Sequence, residues 1–153
     1  MIRKARVSDT EGILKIINHY AEKDLVLPRS PLEVYENIRD YFVCMEDGRV
    51  VGCAALHVFW TDLSEIKSLV VEESYQGKGR GKKLVKECVE EATALGVSRL
   101  FVLTYLPEFF QRLGFSLTEK DTLPHKIWTE CVKCHKFPEC TEVPLILDLP
   151  AST

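Results

Sequence analysis

Gln76-Gly77-Lys78-Gly79-Arg80-Gly81-Lys82-Lys83-Leu84 lies between an apolar run, Ser68-Leu69-Val70-Val71, and a stretch whose apolar residues recur at helical spacing. The order therefore reads strand, glycine turn, helix. Glycines at alternate positions let the backbone turn tightly and approach a ligand, because glycine carries no Cβ. The helix that follows presents free N–H groups and the positive end of its dipole, which favour an anion. Lys78, Arg80, Lys82, Lys83 and Lys86 add positive charge around the turn. The stretch predicts a seat for a phosphorylated ligand.

The glycine spacing narrows the ligand. The P-loop pattern G-x-x-x-x-G-K-[ST] fails, because Lys82 stands at the fifth place after Gly77. The dinucleotide pattern G-x-G-x-x-G fails as well, because Lys82 also stands at the third place after Gly79. The pattern that is met is Q-x-x-G-x-G, by Gln76, Gly79 and Gly81. It resembles the pyrophosphate motif of the GCN5-related N-acetyltransferases, whose cosubstrate is acetyl-coenzyme A. The resemblance implies that Gln76, Gly77, Lys78, Gly79, Arg80, Gly81 and Lys82 hold that cosubstrate. A glycine-rich turn on a basic, solvated helix face is the bland alternative.

Composition sets outer bounds. At 153 residues the chain suffices for one domain with its own core, and 46% hydrophobic with 28% charged residues is ordinary globular usage. A net charge of −3 with locally clustered cations argues against a general nucleic-acid binder. The opening Met1-Ile2-Arg3-Lys4-Ala5-Arg6 has no apolar leader, and no run nears the roughly 20 apolar residues of a membrane span, so a cytoplasmic protein off the membrane is expected. Of the six cysteines, Cys44, Cys53 and Cys88 fall at apolar positions and read as small core residues. Cys131, Cys134 and Cys140, with His135 or His125, form a set of soft donors; a reduced cluster is favoured over a zinc site, because two well-separated ligand pairs are missing.

Outward from the turn, Ile2–Val7 reads as a strand, and Ser8-x-x-Glu11 reads as a capping box opening a helix with Ile13, Leu14, Ile16, Ile17 and Tyr20 on its apolar side. Ser30-x-x-Glu33 with Pro31 predicts a second, short helix to about Arg39. Between them, Leu25, Val26 and Leu27 lie in a loop placed to line a substrate entrance. Asp47-Gly48 joins strands over Tyr41–Met45 and Val50–Phe59, and Leu63–Val71 follows as another. The helix after the turn places Leu84, Val85, Cys88, Val89, Ala92 and Leu95 on one stripe and stops at Gly96. Arg99–Thr104 is a buried strand, Phe109–Leu113 a short helix, and Glu142–Leu149 a last strand. The expected class is α/β, with a mixed, mostly antiparallel sheet flanked by helices. One acetyltransferase domain is expected over residues 1–149, with a cysteine-containing segment over 125–149.

Transfer of an acetyl group to an amine needs a held thioester, a deprotonated nucleophile, support for the oxyanion and a proton for the leaving thiolate. The resemblance gives the backbone of Leu69, Val70 and Val71 the pantetheine arm and the thioester carbonyl, with direct attack in a ternary complex. Glu65, a charge inside an apolar strand leading to that position, is the candidate base; burial would raise its pKa towards the working range. The alternative is an exposed strand residue paired with Lys67. Lys67 shares the strand face of Glu65 and can hold a substrate carboxylate or serve as its ion-pair partner. Arg112 is a further carboxylate candidate, against a solvated helix face. Where the family often carries a tyrosine in Tyr-x-x-x-Gly-Phe, this chain has Phe110, which has no proton to give. Thr104 and Tyr105 are the alternative donors.

A closer resemblance is carried by Arg99-Leu100-Phe101-Val102-Leu103-Thr104, by Phe109-Phe110-x-x-Leu113-Gly114-Phe115, and by Glu65-Ile66-Lys67-Ser68-Leu69-Val70-Val71. Leu123-Pro124 and Lys126-Ile127-Trp128 extend it. These stretches are similar to the acetyltransferase domain of N-acetylglutamate synthases, in a short form without an amino-acid-kinase domain. The resemblance implies acetylation of the α-amine of L-glutamate, the entry step of arginine biosynthesis. Transfer to another small amine, amino acid or protein N-terminus is one alternative. A non-catalytic acyl-coenzyme A-binding or zinc-stabilised interaction module is the other. A homodimer is left open.

Overall fold

The computed structural model describes residues 1–23, 25–119 and 142–150. The strands are β1 (Ile2–Lys4), β2 (Tyr41–Glu46), β3 (Arg49–Trp60), β4 (Leu63–Val71), β5 (Arg99–Thr104), β6 (Ser116–Leu117) and β7 (Val143–Asp148); helices α1 (Thr10–Ala21) and α2 (Pro31–Glu36) lie between β1 and β2, α3 (Arg80–Leu95) between β4 and β5, and α4 (Pro107–Gln111) between β5 and β6. Among the described residues they form a seven-stranded sheet in the order β1-β2-β3-β4-β5-β7-β6. The β1–β2, β2–β3, β5–β7 and β6–β7 pairs are antiparallel, and β4–β5 is parallel. The expected mixed, mostly antiparallel α/β class is the one found. The chain divides into two compact units, one of Met1–His57 with Ile66–Ala92, the other of Val58–Glu65 with the described residues from Thr93 onward.

In the first unit, α1 buries Ile13, Ile16, Ile17 and Tyr20 against Val43, Cys53, Ala55 and Val70. These apolar positions recur every three or four residues, so one helix face closes on the sheet. Full burial of Ile13 or Ile17 is worth roughly 1.5–3 kcal/mol each. The Asp47-Gly48 turn takes positive φ at both residues, 50° and 74°, the geometry that matches the twist of a two-residue hairpin. In the second unit, Leu63 and Phe101 pack with Phe59, Leu103 and Ile146, and the Phe59 and Phe101 rings lie 5.8 Å apart.

Several boundaries differ from the sequence reading. The Ser8–Glu11 box does not open α1; Val7–Asp9 form a 3-10 turn, and α1 starts at Thr10. The buried carboxylate of Asp9 takes over, accepting from Arg3 at 2.7 and 3.0 Å and from the Arg6 amide at 2.7 Å. A charge with three donors outcompetes a serine hydroxyl. The Ser30–Glu33 box does form, with Glu33 N on Ser30 Oγ at 3.2 Å and Ser30 N on Glu33 Oε1 at 3.3 Å. Its helix stops at Glu36, before a 3-10 turn over Ile38–Asp40. Leu95, expected on the buried stripe, is 60% exposed. β6 was not anticipated. In the loop before Arg29, Leu25 is exposed, whereas Val26 packs onto the first core.

Candidate active site

The glycine turn lies wholly in the first unit. β4 ends at Val71, a 3-10 turn covers Glu73–Tyr75, and α3 opens at Arg80. Gly77 and Gly79 adopt φ of +80° and +84°, a region that L side chains rarely enter. A Cβ built on either meets nothing within 4 Å, so the space outside the turn is open. The Lys83 amide is bonded to Gly79 O at 3.0 Å, and the amides of the first helical turn before it have no intrahelical acceptor. Open space, free amides and a 16-residue helix dipole fit a pyrophosphate.

Two motif side chains turn inward, onto the protein itself. Gln76 Nε2 donates to Val71 O at 2.7 Å. Arg80 gives Nη1 to Tyr75 O at 3.1 Å and Nη2 to Glu46 at 3.1 Å, with its guanidinium 5.0 Å from the Tyr75 ring. Arg49 lies 5.5 Å from the same ring and is paired with Glu72. Gln76 and Arg80 are thus internal braces of the turn. Lys78, Lys82, Lys83 and Lys86 are exposed and remain the cations facing solvent.

β4 carries the next group. Glu65 is 2% exposed, which removes the reading of an exposed strand residue. Lys67, Leu69 and Val71 are half-buried and Val70 is buried in the first core. The parallel ladder with β5 joins Ser64 to Leu100 and Glu65 to Phe101. Ser64, fully buried, has a hydroxyl without a hydrogen-bond partner among the described residues. Ser68 has φ of +56° in mid-strand.

Arg29, not singled out from the sequence, belongs to this group. Its backbone is clasped by the Asn18 side chain, Arg29 N on Oδ1 at 3.0 Å and Nδ2 on Arg29 O at 3.2 Å. Its side chain is only 14% exposed, with Nε on Ser68 Oγ at 3.3 Å and Nη1 near Glu33 at 3.5 Å. The signal was available: an arginine closes the apolar Leu25-Val26-Leu27-Pro28 loop directly before a capping serine.

Thr104, Tyr105 and Arg112 fall in the second unit, as does Glu65. Thr104 Oγ1 accepts from Leu106 N at 2.9 Å, which leaves the hydroxyl proton available. Tyr105 is half-buried and Arg112 is exposed at the C-terminal cap of α4. Phe110 is 3% exposed and meets Phe109 and Phe115 edge to face at 5.1 and 5.4 Å. Where the related motif carries a hydroxyl, this chain has a core aromatic. Cys44, Cys53 and Cys88 are free and buried; burial pushes the Cys53 thiol up to about 12 and raises that of Cys88 as well. Cys131, Cys134, Cys140, His125 and His135 lie outside the described residues.

Residues 12–115 match the model of the acetyltransferase (GNAT) family. The chain belongs to that family. As a member it is an acetyl-coenzyme A-dependent N-acetyltransferase, and the non-catalytic alternative gives way. An uncharacterized N-acetyltransferase of Chlorobaculum tepidum is 38% identical over 97% of this chain and 96% of its own length. An amino-acid acetyltransferase of Mycobacterium tuberculosis is 34% identical over 88% and 79%. Among solved structures, the N-acetylglutamate synthase of Neisseria gonorrhoeae, complexed with coenzyme A and N-acetyl-glutamate, superposes with a TM-score of 0.89 at 29% identity. That likeness covers 98% of this acetyltransferase and 35% of the synthase chain. No helix among the described residues is long and apolar enough to cross a membrane.

Proposed function

We propose that this acetyltransferase transfers the acetyl group of acetyl-coenzyme A to the α-amine of L-glutamate, the entry step of arginine biosynthesis. The observation that carries the choice of an acidic amino acid is Arg29. Its guanidinium is largely buried, yet its side-chain contacts are long, 3.3 Å to Ser68 and 3.5 Å to Glu33. A buried guanidinium held so loosely retains hydrogen-bonding capacity that a carboxylate satisfies in the bidentate manner. Lys67 on β4 supplies a second cation for the other carboxylate of a dicarboxylic amino acid. The similarity to the amino-acid acetyltransferase of M. tuberculosis supports an amino acid as the acceptor, and that to the N. gonorrhoeae synthase complexed with N-acetyl-glutamate supports glutamate.

In this reading the pyrophosphate rests on the amides opening α3, and the backbone of Leu69–Val71 holds the pantetheine arm. Glu65 takes a proton from the substrate ammonium. The freed amine attacks the thioester carbonyl carbon, and the tetrahedral species collapses by breaking the carbon–sulfur bond. The thiolate takes a proton from Thr104 or Tyr105, since Phe110 has none to give, and the second proton shed by the substrate nitrogen as the amide forms restores that hydroxyl. Orientation of the two substrates supplies much of the rate. The test is release of free coenzyme A, followed by a thiol reagent, with L-glutamate against other amino acids and polyamines. Release with glutamate above all others is expected. Release only with another amine overturns the glutamate assignment.

A further inference from the structure

Taking Arg29 as the carboxylate seat of the proposed function, we infer that Asn18 is a positioning residue for acceptor binding. Its side-chain amide clasps the Arg29 backbone and so sets where the guanidinium stands. Arg29 N donates to Asn18 Oδ1 at 3.0 Å, and Asn18 Nδ2 donates to Arg29 O at 3.2 Å. One primary amide thus answers both polar groups of a single residue, as a neighbouring strand would. The two residues stand eleven apart in sequence, so the clasp shuts the base of the loop that carries Leu25, Val26 and Leu27. Within that loop Leu25 N donates to Tyr20 O at 3.2 Å, and Val26 packs onto the first core. On the far side of Arg29, the Ser30–Glu33 capping box leads the chain into α2. The Arg29 backbone is therefore held from both directions.

The side chain makes use of that hold. Nε is spent on Ser68 Oγ and one Nη1 hydrogen on Glu33. Of the five N–H bonds of a guanidinium, one on Nη1 and both on Nη2 remain, with no hydrogen-bond partner among the described residues. The Nη1–Nη2 edge is the fork that receives a carboxylate through two parallel bonds. Such a fork is aimed only while its root stays in place. Released from Asn18, the loop would carry Arg29 with it, and the guanidinium would have to be ordered again as the acceptor binds. The cosubstrate would not share that loss, because the glycine turn has its own braces, Gln76 on Val71 and Arg80 on Glu46.

Asn18→Ala removes both bonds by truncating a half-buried side chain. Calorimetric titration of N-acetyl-L-glutamate into the coenzyme A-loaded variant should give a Kd about tenfold above wild type, and KM for L-glutamate should rise by about the same factor. Over the same comparison kcat and the Kd of coenzyme A should change by less than about twofold. Hydrogen exchange at the Arg29 amide of the free protein should quicken. In an Arg29→Ala background, Asn18→Ala should alter kcat/KM for L-glutamate by less than about twofold, because Asn18 acts through that side chain. Wild-type affinity for N-acetyl-L-glutamate in Asn18→Ala overturns the inference. So does an equal weakening of coenzyme A, or a full effect in the Arg29→Ala background, either of which makes Asn18 a merely structural residue. A wild-type protein that does not bind N-acetyl-L-glutamate refutes the proposed function itself, and the role of Asn18 falls with it.

Discussion

Replacing Gly79 by alanine and by glutamate separates the backbone from the charge at the pyrophosphate seat. Both variants force a side chain onto φ of +84°, at a cost of about 1–2 kcal/mol in the folded state. Neither clashes at Cβ, because nothing lies within 4 Å of that position. For a chain of this size the strain lowers Tm by roughly 2–4 °C per kcal/mol, so both should fold. The glutamate adds a negative charge beside the phosphates. At about 5 Å and an effective dielectric near 20, one such repulsion is worth about 3 kcal/mol, or roughly 200-fold in Kd. Calorimetric titration with coenzyme A should find the glutamate variant weaker than the alanine variant by about that factor. The gap should shrink in 1 M salt, where screening acts within about 3 Å. Equal affinities for the two variants at low salt would refute the placement of the pyrophosphate on the Gly79 turn.

Three further outcomes follow from named residues. Glu65→Gln should lower turnover at neutral pH and recover at alkaline pH, where free amine is abundant; a loss that is flat across the pH–rate profile would assign Glu65 a binding or structural role. Ser64→Ala removes a fully buried hydroxyl that has no partner among the described residues, so denaturant unfolding should find stability unchanged or raised by up to about 1 kcal/mol. The hydrogen bonds from Arg3 hold the Asp9 carboxyl below the usual carboxylate range, so its contribution is complete above that range and is lost as pH falls through the depressed value. Asp9→Asn should cost about 1–3 kcal/mol near neutral pH, and the difference from wild type, followed by thermal unfolding, should close on acidification.

What the sequence made legible was whatever it expresses through period and spacing. The bounds of β4 and β5 were readable because their apolar runs end at Val71 and Thr104 beside a turn or an open loop. The second capping box was readable because serine and glutamate there have no stronger competitor. The first failed for a tertiary reason: Arg3, six residues before Asp9, folds back onto its carboxylate and moves the helix start. β6 has two residues, too few for alternation to register. The left-handed φ of Ser68 left no mark, since serine is ordinary in a strand and its braces come from Arg29 and Cys53, far away in sequence. Arg29 was missed for a related reason: its burial is set by α1, through Asn18, and not by its own neighbours.

The inward direction of Gln76 and Arg80 bears on how the glycine turn works. A guanidinium aimed at a pyrophosphate would add attraction, but it would also have to order a long side chain when the ligand arrives. Here that ordering is complete beforehand: Arg80 is fixed on Tyr75 O and Glu46, and Gln76 on Val71 O. Besides the exposed lysines, the turn offers a ligand backbone, the amides that open α3, which needs no rotamer search. The Gln76 bond has a second consequence. It ties the glycine turn, the proposed pyrophosphate seat, to Val71 at the end of the strand proposed to hold the thioester. Coenzyme A carries its pyrophosphate and its sulfur at opposite ends of the pantetheine arm. In the proposed binding mode the Gln76 bond therefore links the residues that would meet the pyrophosphate to the strand end that would meet the thioester, which glycine spacing alone could not reveal.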